Sequence, residues 1–188
     1  ESAARHYRHA PGAGGLYQVR GLSSGDLLKR LEELNAVGVA LSKERDINRL
    51  LEAILGAAKT ITNADGGTLY RMSEERTLKF EILHNDSLGI KMGGTSGVGI
   101  PFYPVHLTGK DGKPNNAMVV AYAVLHDTTV NIADAYTQEG FDFSGTKNFD
   151  AKTGYRSQSF LTVPMKNHES EIIGVLQLLN CKDRESGK

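Results

Sequence analysis

Residues 171–180, EIIGVLQLLN, constrain the fold of this 188-residue chain more than any other stretch. Apolar side chains follow one another there, with only Gln177 as an interruption, which predicts a central strand that is covered on both faces. The run SFLTVPM (159–165) and the polar turn KNHES (166–170) come directly before it, so the two strands form a hairpin. A covered central strand requires neighbouring strands and further elements on both faces of the sheet.

Two more strands are predicted in the first half of the chain. Residues 68–72 form the first, and residues 78–83, where apolar and charged side chains alternate, form its half-buried partner. The polar turn SEER (73–76) is short enough to join them as a hairpin.

The middle of the chain is richer in loops. Residues 84–99 are predicted to be a glycine-rich loop, and residues 100–107 a short strand whose two prolines restrict it to a sheet edge. Residues 129–132, TVNI, form another short strand. Residues 133–158 then make a long connection with one helical turn, and connections of that length in a compact domain are commonly functional or disordered.

A helix following Asp46 is the clearest helical prediction. Its apolar positions recur at helical spacing over four turns, Asp46 is placed to cap its first turn, and NADGG (63–67) ends it. Its apolar residues are Ile47, Leu50, Leu51, Ile54, Leu55, Ala58 and Ile61. For residues 117–127, which also have strand composition, we favour a helix capped by Asn116.

An earlier helix is predicted over residues 26–41, after a flexible leader at residues 1–25. Apolar or small residues recur there at coiled-coil spacing, at Leu27, Leu31, Leu34, Gly38 and Leu41. Two heptads are compatible with an amphipathic helix on its own domain and equally with a helix that forms a dimer.

These elements together predict an α+β fold. A mainly antiparallel central sheet carries the N-terminal helices on one face, and the long loops and short helices cover the other. A sheet face covered by loops is a natural place for a ligand cavity.

Composition indicates which binding partners and which cellular compartment to expect. The formal net charge is zero, which gives no reason to expect a nucleic-acid partner or an anionic membrane surface. Cys181 is the single cysteine, so no internal disulfide can form, and this suits a reducing, cytoplasmic location. No apolar run approaches the roughly 20 residues that span a bilayer, and residues 1–25 lack the apolar core of a secretory signal.

No residue pattern indicates catalysis or metal binding. The glycine-rich loop lacks the lysine of a phosphate-binding loop, His126-Asp127 lacks further ligands at suitable spacing, and Cys181 has no identifiable base. The polar side chains of the long connection could instead bind a planar heterocycle or a phosphate, or could simply be solvated. They are Ser144, Thr146, Thr153, Tyr155, Arg156, Ser157 and Gln158.

The second half of the chain resembles a GAF domain. The matching segments, in the family's order, are VNIADAY, the TGYR that begins at Thr153, FLTVPMKN and IIGVLQLLN. They are most similar to the GAF domains of cyclic-nucleotide phosphodiesterases and adenylyl cyclases, and the resemblance covers roughly residues 26–181. The insertion at residues 101–125 looks like a bacterial subgroup found upstream of HD-type phosphodiesterase and other signalling output domains.

The resemblance implies a sensory module that binds a small molecule, with a cyclic nucleotide as first candidate, and regulates a C-terminal output domain without catalysing a reaction itself. The alternative is a ligand-free domain that forms a homodimer through its first helix. Family positions around the pocket match Thr68, Ile132, Ala133, Asp134 and Thr153 in this chain, and the long loop adds Tyr155 and Arg156 as candidate ligand contacts.

The chain departs from the cyclic-nucleotide signature at the end of its last strand. Asn180 matches, but Cys181 stands where the family has lysine, and Lys182 is displaced by one residue, which in a strand reverses its face. We therefore expect the family's lysine–aspartate link to be lost. The rest of the signature and the closing helix would fall beyond Lys188, as in a piece of a longer signalling protein.

Cysteine usage separates this chain from two other branches of the family. No cysteine lies in the pocket loops to attach a bilin, and one cysteine cannot supply the disulfide that methionine sulfoxide reductases with this fold require.

Overall fold

One antiparallel sheet organises the computed structural model, which describes residues 24–182. Its strands are β1 (Ala64–Met72), β2 (Thr77–Asn85), β3 (Ile90–Gly93), β4 (Val105–His106), β5 (Val130–Ile132), β6 (Phe160–Lys166) and β7 (Ile172–Cys181). Their order is β3-β2-β1-β7-β6-β5, and β4 pairs with the end of β2 that β3 leaves free. The predicted α+β fold class is confirmed.

The predicted central strand lies in the middle of this sheet. Strand β7 pairs with β1 from Cys181 opposite Ala64 to Gly174 opposite Arg71, and with β6 on its other side. Both predicted hairpins, β1–β2 and β6–β7, are present. The apolar content of β7 therefore follows from its position, since both of its faces are covered and both of its edges are paired.

Helix α2 (Ile47–Thr62) covers one face of the sheet. Its predicted N-cap is confirmed, because a side-chain oxygen of Asp46 accepts from the backbone N–H groups of Asn48 at 2.9 Å and Arg49 at 3.1 Å. On the apolar side of α2, the fully buried Leu55 packs in a cluster with Leu69, Ile82 and Leu178.

Helices α3 (Val119–Leu125) and α4 (Ser144–Thr153) belong to the opposite face, together with irregular segments. One apolar cluster there joins Val120 and Val124 of α3 to Tyr70, Leu78 and Val175 of the sheet. A second cluster lies beside it and consists of Val119, Ile132, Ala135, Phe143 and Phe160. The two clusters position both helices above the sheet.

Helix α1 (Ser24–Lys43) extends the predicted helix by two residues at each end. The contacts divide the chain into two units, residues 1–36 and 37–188, and most of α1 lies in the first. Its leucines at 28, 31 and 34 are 58%, 54% and 49% exposed, so the helix presents an apolar stripe within its own unit.

Several boundaries in the first half of the chain differ from the predictions. Of the five residues NADGG predicted to end α2, only Asn63 does so, through its left-handed φ of 55°. The other four, residues 64–67, are the first residues of β1. The predicted glycine-rich loop contains strand β3, which pairs with β2. The predicted strand at residues 100–107 is reduced to the two residues of β4.

Two helix predictions need correction as well. Helix α3 begins at Val119 without a side-chain cap, while Asn116, the predicted cap, has its side-chain oxygen 3.0 Å from Nε2 of His126. The long connection contains the ten-residue helix α4 instead of a single turn. Gly154 ends α4 in the left-handed conformation that glycine adopts without strain.

The predicted leader at residues 1–25 lies outside the described residues, apart from residues 24 and 25, which are helical. The closing helix was expected beyond Lys188, which likewise lies outside the described residues. None of the helices within residues 24–182 is both long and apolar enough to cross a bilayer.

Candidate ligand-binding site

A cavity of about 360 Å³ lies on the sheet face that α3 and α4 cover. Strands β1, β2, β6 and β7 contribute residues on the sheet side, while α3, α4 and the segment before β4 contribute the remaining wall. The lining consists of Gly67, Thr68, Tyr70, Phe80, Leu83, His84, Asn85, Phe102, Tyr103, Val105, Met118, Val119, Val120, Asp142, Phe143, Gly145, Thr146, Phe149, Ser157, Phe160, Gln177 and Leu179. This volume is within the range of small-molecule sites in proteins.

Aromatic rings make up much of the lining. Two pairs of rings line the cavity: Tyr70 with Phe80, at 4.6 Å between ring centroids, and Phe143 with Phe160, at 5.6 Å. Phe102 extends the first pair, with its centroid 5.3 Å from that of Phe80. Rings at these separations are in favourable contact and offer flat apolar surfaces to a planar ligand.

A small polar group lies on the sheet side of the cavity. Gln177 of β7, opposite Thr68 of β1, donates from Nε2 to Oγ1 of the fully buried Thr162 at 3.0 Å. The phenol of Tyr70 donates to Oε1 of Gln177 at 3.5 Å, and burial raises the pKa of Tyr70, so this phenol is neutral at physiological pH. Neutral donors and acceptors are therefore available inside the cavity.

The charge of the lining is negative. Asp142 is the carboxylate among the lining residues, and hydrogen bonds from the side chain and backbone of Ser144 hold its pKa below the ordinary value. Burial, followed by the charges of Lys59 and Lys91, lowers the pKa of His84, so this imidazole is neutral at pH 7. Lysine and arginine are absent from the lining within the described part of the chain.

Of the seven residues predicted to bind a ligand, Thr68 lines this cavity. Ile132 is 1% exposed and packs in the apolar cluster beside it. Ala133, Thr153 and Arg156 are exposed, and Asp134 and Tyr155 are half-buried outside the lining. Whether these six contact a ligand stays a prediction.

Two of these residues, Asp134 and Arg156, belong to a group that holds α4 in place, which we name the Asp150 cluster. A carboxylate oxygen of Asp134 accepts from the backbone N–H of Tyr136 at 2.8 Å, and the guanidinium of Arg156 stacks 4.2 Å from the centroid of the Tyr136 ring. The phenol of Tyr136 then donates to Oδ2 of Asp150 in α4 at 2.6 Å. Ser157 donates twice to the same carboxylate, from its N–H and its hydroxyl, both at 2.7 Å.

A second polar group, the Asp65 cluster, joins the ends of three elements. The Asp65 carboxylate in β1 is almost fully buried and accepts from Nζ of Lys182 at 2.5 Å, from Tyr155 at 2.6 Å and from Ser87 at 2.7 Å. Burial alone would raise the pKa of Asp65, but these hydrogen bonds outweigh it and lower the pKa to about 2. Asn180 adds a bond from Nδ2 to the Tyr155 oxygen at 2.9 Å.

The aspartate of the family's signature would fall beyond Lys188, so the loss of the family's lysine–aspartate link stays a prediction. Within the described residues, Lys182 pairs with Asp65 of β1 at 2.5 Å, although displacement by one residue was expected to reverse its face. The reason lies in Asn180, whose left-handed φ of 50° interrupts the pleat at the end of β7. Strict alternation of faces therefore ends before Lys182, which is bonded through its backbone to Asn63 at 2.9 Å.

The other candidate groups lie apart from the cavity. Cys181 is exposed, and its thiol contacts the carbonyl of Thr62. Asp127 pairs with Lys166 at 2.6 Å, away from any set of metal ligands. Across residues 24–182, no group of three or more histidine, cysteine, aspartate or glutamate side chains is arranged to hold a metal ion.

The predicted ligand contacts did not include Gln177 or the aromatic rings of the cavity lining. Gln177 was visible as the polar interruption of an apolar central strand, a pattern that favours a polar contact in the interior. Phe80, Phe102 and Phe160 come from three separate strands or loops, and their sequence spacing contains no sign that they meet.

Solved structures with a similar fold are GAF domains and related proteins. The GAF domain of a Coxiella burnetii phosphoenolpyruvate-protein phosphotransferase has a TM-score of 0.58 at 12% identity, covering 82% of this chain and 79% of that one. The GAF domain from the Acinetobacter phosphoenolpyruvate-protein phosphotransferase has a TM-score of 0.57 at 16% identity, covering 83% and 79%. Free methionine-R-sulfoxide reductase from Neisseria meningitidis reaches 0.54 at 16% identity, covering 85% and 77%. At these identities the likeness concerns the fold alone.

Curated relatives match in sequence over 74% of the chain. The dual 3',5'-cyclic-AMP and -GMP phosphodiesterase 11A of Takifugu rubripes is 29% identical over 140 residues. The cGMP-specific 3',5'-cyclic phosphodiesterase of Drosophila melanogaster is 26% identical over 148 residues. The matched part spans only 14% and 12% of these two proteins. The family model described as GAF domain matches residues 46–186, about three quarters of the sequence, and the chain therefore belongs to the GAF domain family.

Proposed function

We propose that this chain is a regulatory domain that binds a small molecule in the cavity between the sheet and helices α3 and α4. The cavity itself carries the proposal. A domain that served only as a packing or dimerisation unit would be expected to fill this face with apolar side chains, whereas here neutral polar groups such as Gln177 and Thr68 share the lining with aromatic rings.

A cyclic nucleotide is the first ligand to test. The two curated relatives are named as phosphodiesterases that act on cyclic AMP or cyclic GMP, and this chain resembles a small part of each. The flat rings of the lining suit a purine base. Since lysine and arginine are absent from the lining within residues 24–182 and the carboxylate of Asp142 is present, the phosphate would be placed at the opening of the cavity rather than inside it.

Regulation would proceed through the segment that covers the cavity. Residues 133–158 include α4 and are held by the Asp150 cluster, so a ligand that contacts α4 would change how firmly this segment is held. The ligand can shift that equilibrium only by its difference in affinity for the two states. In this proposal the domain works in the cytoplasm, catalyses no reaction and controls an output domain C-terminal to it, such as an HD-type phosphodiesterase or a cyclase.

Thermal melting with cyclic AMP, cyclic GMP and a panel of nucleotides tests the proposal. A ligand present at 100 times its Kd stabilises the folded state by about 2.7 kcal/mol, which raises the Tm by several degrees in a domain of this size. Calorimetry on each hit then gives stoichiometry and Kd. If no compound raises the Tm and none gives a calorimetric signal, cyclic-nucleotide binding is excluded.

The exposed stripe on α1 favours a second function, a homodimer through the first helix. Leu31 and Leu34 are both about half exposed, and pairing two copies would remove this apolar surface from water. Sedimentation of the chain beside the double variant Leu31→Glu, Leu34→Glu tests this reading. A dimer that becomes monomeric in the variant supports it, while a monomer in both samples contradicts it.

A further inference from the structure

Tyr103 combines two properties that rarely occur together. It lines the cavity, yet 93% of the residue is exposed, so its ring must lie at the opening rather than in the interior. It also borders a second, more open depression of about 560 Å³. An exposed ring between two concave surfaces has little apolar contact of its own to hold it in place.

The segment that carries Tyr103 is attached only at its ends. Before it, Gly93 donates its N–H to the carbonyl of Val98 at 2.8 Å, and after it Val105 pairs with Leu78. Between them, residues 99–104 make no hydrogen bond to the rest of the described chain. The ring of Phe102, whose centroid lies 5.3 Å from that of Phe80, is one side-chain contact of the segment at the cavity.

The segment is nevertheless built to limit where Tyr103 can go. Pro101 and Pro104 fix their own φ angles on either side of it, and neither can donate to a sheet. The chain therefore presents an exposed aromatic side chain on a restrained segment beside a cavity whose interior is already rich in rings. A ligand ring that covered Tyr103 would remove this exposed aromatic surface from water.

The chemistry of the opening indicates the part of the ligand that Tyr103 would meet. The lining offers aromatic faces and neutral polar groups, and its charged group is the carboxylate of Asp142. A negatively charged group would be repelled from this interior, whereas an uncharged planar ring is accepted by it. Tyr103 lines the same cavity as Phe80 and Phe143, so a ring bound there has Tyr103 among its surrounding residues.

We propose that Tyr103 is a ligand-contacting residue that closes the cavity by stacking on an uncharged planar heteroaromatic ring. This inference rests on the proposed function, because it concerns the same cavity, and it adds both the contact residue and the part of the ligand that is bound inside. For a cyclic nucleotide, the purine would occupy the cavity and the phosphate would remain at the opening.

Calorimetry on wild type, Tyr103→Ala and Tyr103→Phe tests this directly, with cyclic AMP, cyclic GMP, adenosine, guanosine and ribose 5-phosphate as probes. Stacking of a base on an aromatic side chain predicts that Tyr103→Ala raises the Kd of the purine compounds roughly 5- to 100-fold. Tyr103→Phe keeps the ring and should bind as wild type does. Ribose 5-phosphate, which has no planar ring, should show no binding to any of the three proteins.

A matched control and a second readout separate contact from folding. Val98→Ala removes an exposed apolar side chain from outside the cavity lining, at 49% exposure, and should leave every Kd unchanged. The chain contains no tryptophan, so Tyr103→Trp introduces a single tryptophan at the opening, which can be excited selectively beside the tyrosines. Its emission should shift to shorter wavelength when a purine compound covers it.

The outcomes are distinct. If wild type binds a purine compound and Tyr103→Ala binds it equally well, the role of Tyr103 is overturned while the proposed function stands. A tryptophan emission that does not shift at saturating ligand would also overturn the role of Tyr103 and leave the proposed function standing. If ribose 5-phosphate binds as tightly as the purine compounds, the ring is not the bound part. If wild type binds none of the purine probes, this inference and the cyclic-nucleotide proposal are overturned together.

Discussion

The phenol oxygen of Tyr136 lies 2.6 Å from Oδ2 of Asp150, and this hydrogen bond ties the segment after β5 to helix α4. The hydrogen bond to Asp150 is the main cause that raises the pKa of Tyr136, which keeps the phenol protonated as a donor. Asp150 is 4% exposed and also accepts two bonds from Ser157. A single buried carboxylate thus joins three parts of the cavity cover.

Asp150→Ala should destabilise the domain substantially. The substitution leaves the N–H and hydroxyl of Ser157 and the phenol of Tyr136 without their acceptor. Buried donors that have no acceptor destabilise the folded state. We expect a loss of about 3 kcal/mol in the free energy of unfolding. Urea denaturation measures it, with a fall in Tm of roughly 6–12 °C as the thermal equivalent.

Glu139→Ala is the control for this loss, since Glu139 is exposed on the same segment and its side chain has no partner among the described residues. Its free energy of unfolding should stay within about 0.5 kcal/mol of wild type. Equal losses in the two variants would show that the Asp150 cluster contributes nothing specific.

Asp65 should make the stability of the domain fall in acid. Its pKa is lowered from 3.8 to about 2 in the folded state, so at pH 3 the unfolded chain binds a proton that the native state does not. The stabilisation is fully present above about pH 5 and is lost as the pH falls through 2, with a total of about 2 kcal/mol. Urea denaturation at pH 6, 5, 4 and 3 measures the slope.

The variant Asp65→Asn should flatten this acid slope because it removes the titrating group. Asp111→Asn serves as the comparison, since the Asp111 side chain is 61% exposed and its oxygen lies 3.9 Å from Lys113 Nζ. The Asp111 variant should retain the wild-type slope. Parallel curves for wild type and Asp65→Asn would contradict the assignment.

Local patterns predicted those elements whose reasons are local. The apolar spacing and the Asp46 cap determine α2 within its own residues, and the apolar run of β7 reflects its burial in the sheet. Strand β3 was missed because the glycines at and around it indicate a loop, although residues 90–93 form a hairpin with β2, in which Ile90 lies opposite Asn85. The left-handed backbone of Asn180 was likewise not indicated by the strand pattern, and it ends the strict alternation of faces before Lys182.

The candidate site was less predictable than the fold. Thr68 was expected to contact a ligand and lines the cavity, but the rings of Phe80, Phe143 and Phe160 meet only because β2, β6 and the start of α4 come together in space. Among the polar loop residues proposed as ligand contacts, Thr146 and Ser157 line the cavity, while Tyr155 donates to Asp65 outside the lining. A sequence pattern indicates which residues are unusual without showing whether a ligand or a neighbouring side chain is the partner.

Two glycine substitutions should change the free energy of unfolding in opposite directions. A Cβ at Gly174 would clash with the carbonyl oxygen of Tyr70 in the adjacent strand and lie 2.9 Å from Cε of Met165, so Gly174→Ala should cost about 3 kcal/mol. A Cβ at Gly56 in α2 meets nothing within 4 Å, so Gly56→Ala should add about 0.5–1 kcal/mol through helix propensity. Thermal melting checks this: the Tm should be lower than that of wild type for Gly174→Ala and higher for Gly56→Ala. A Gly174→Ala variant as stable as wild type would refute the close approach of β1 and β7.

The pair Thr68→Val and Thr153→Val locates the bound ligand. Thr68 lines the cavity opposite Gln177, so removal of its hydroxyl should weaken a ligand bound there about fivefold. The hydroxyl of Thr153 donates within α4 to the carbonyl of Phe149 at 2.9 Å, on an exposed residue outside the lining. Calorimetry with whichever cyclic nucleotide binds wild type compares the two variants. A ligand in the cavity is sensitive to Thr68→Val alone, whereas sensitivity to Thr153→Val alone would place the ligand against the loop, with Asp134 and Arg156 as its neighbours.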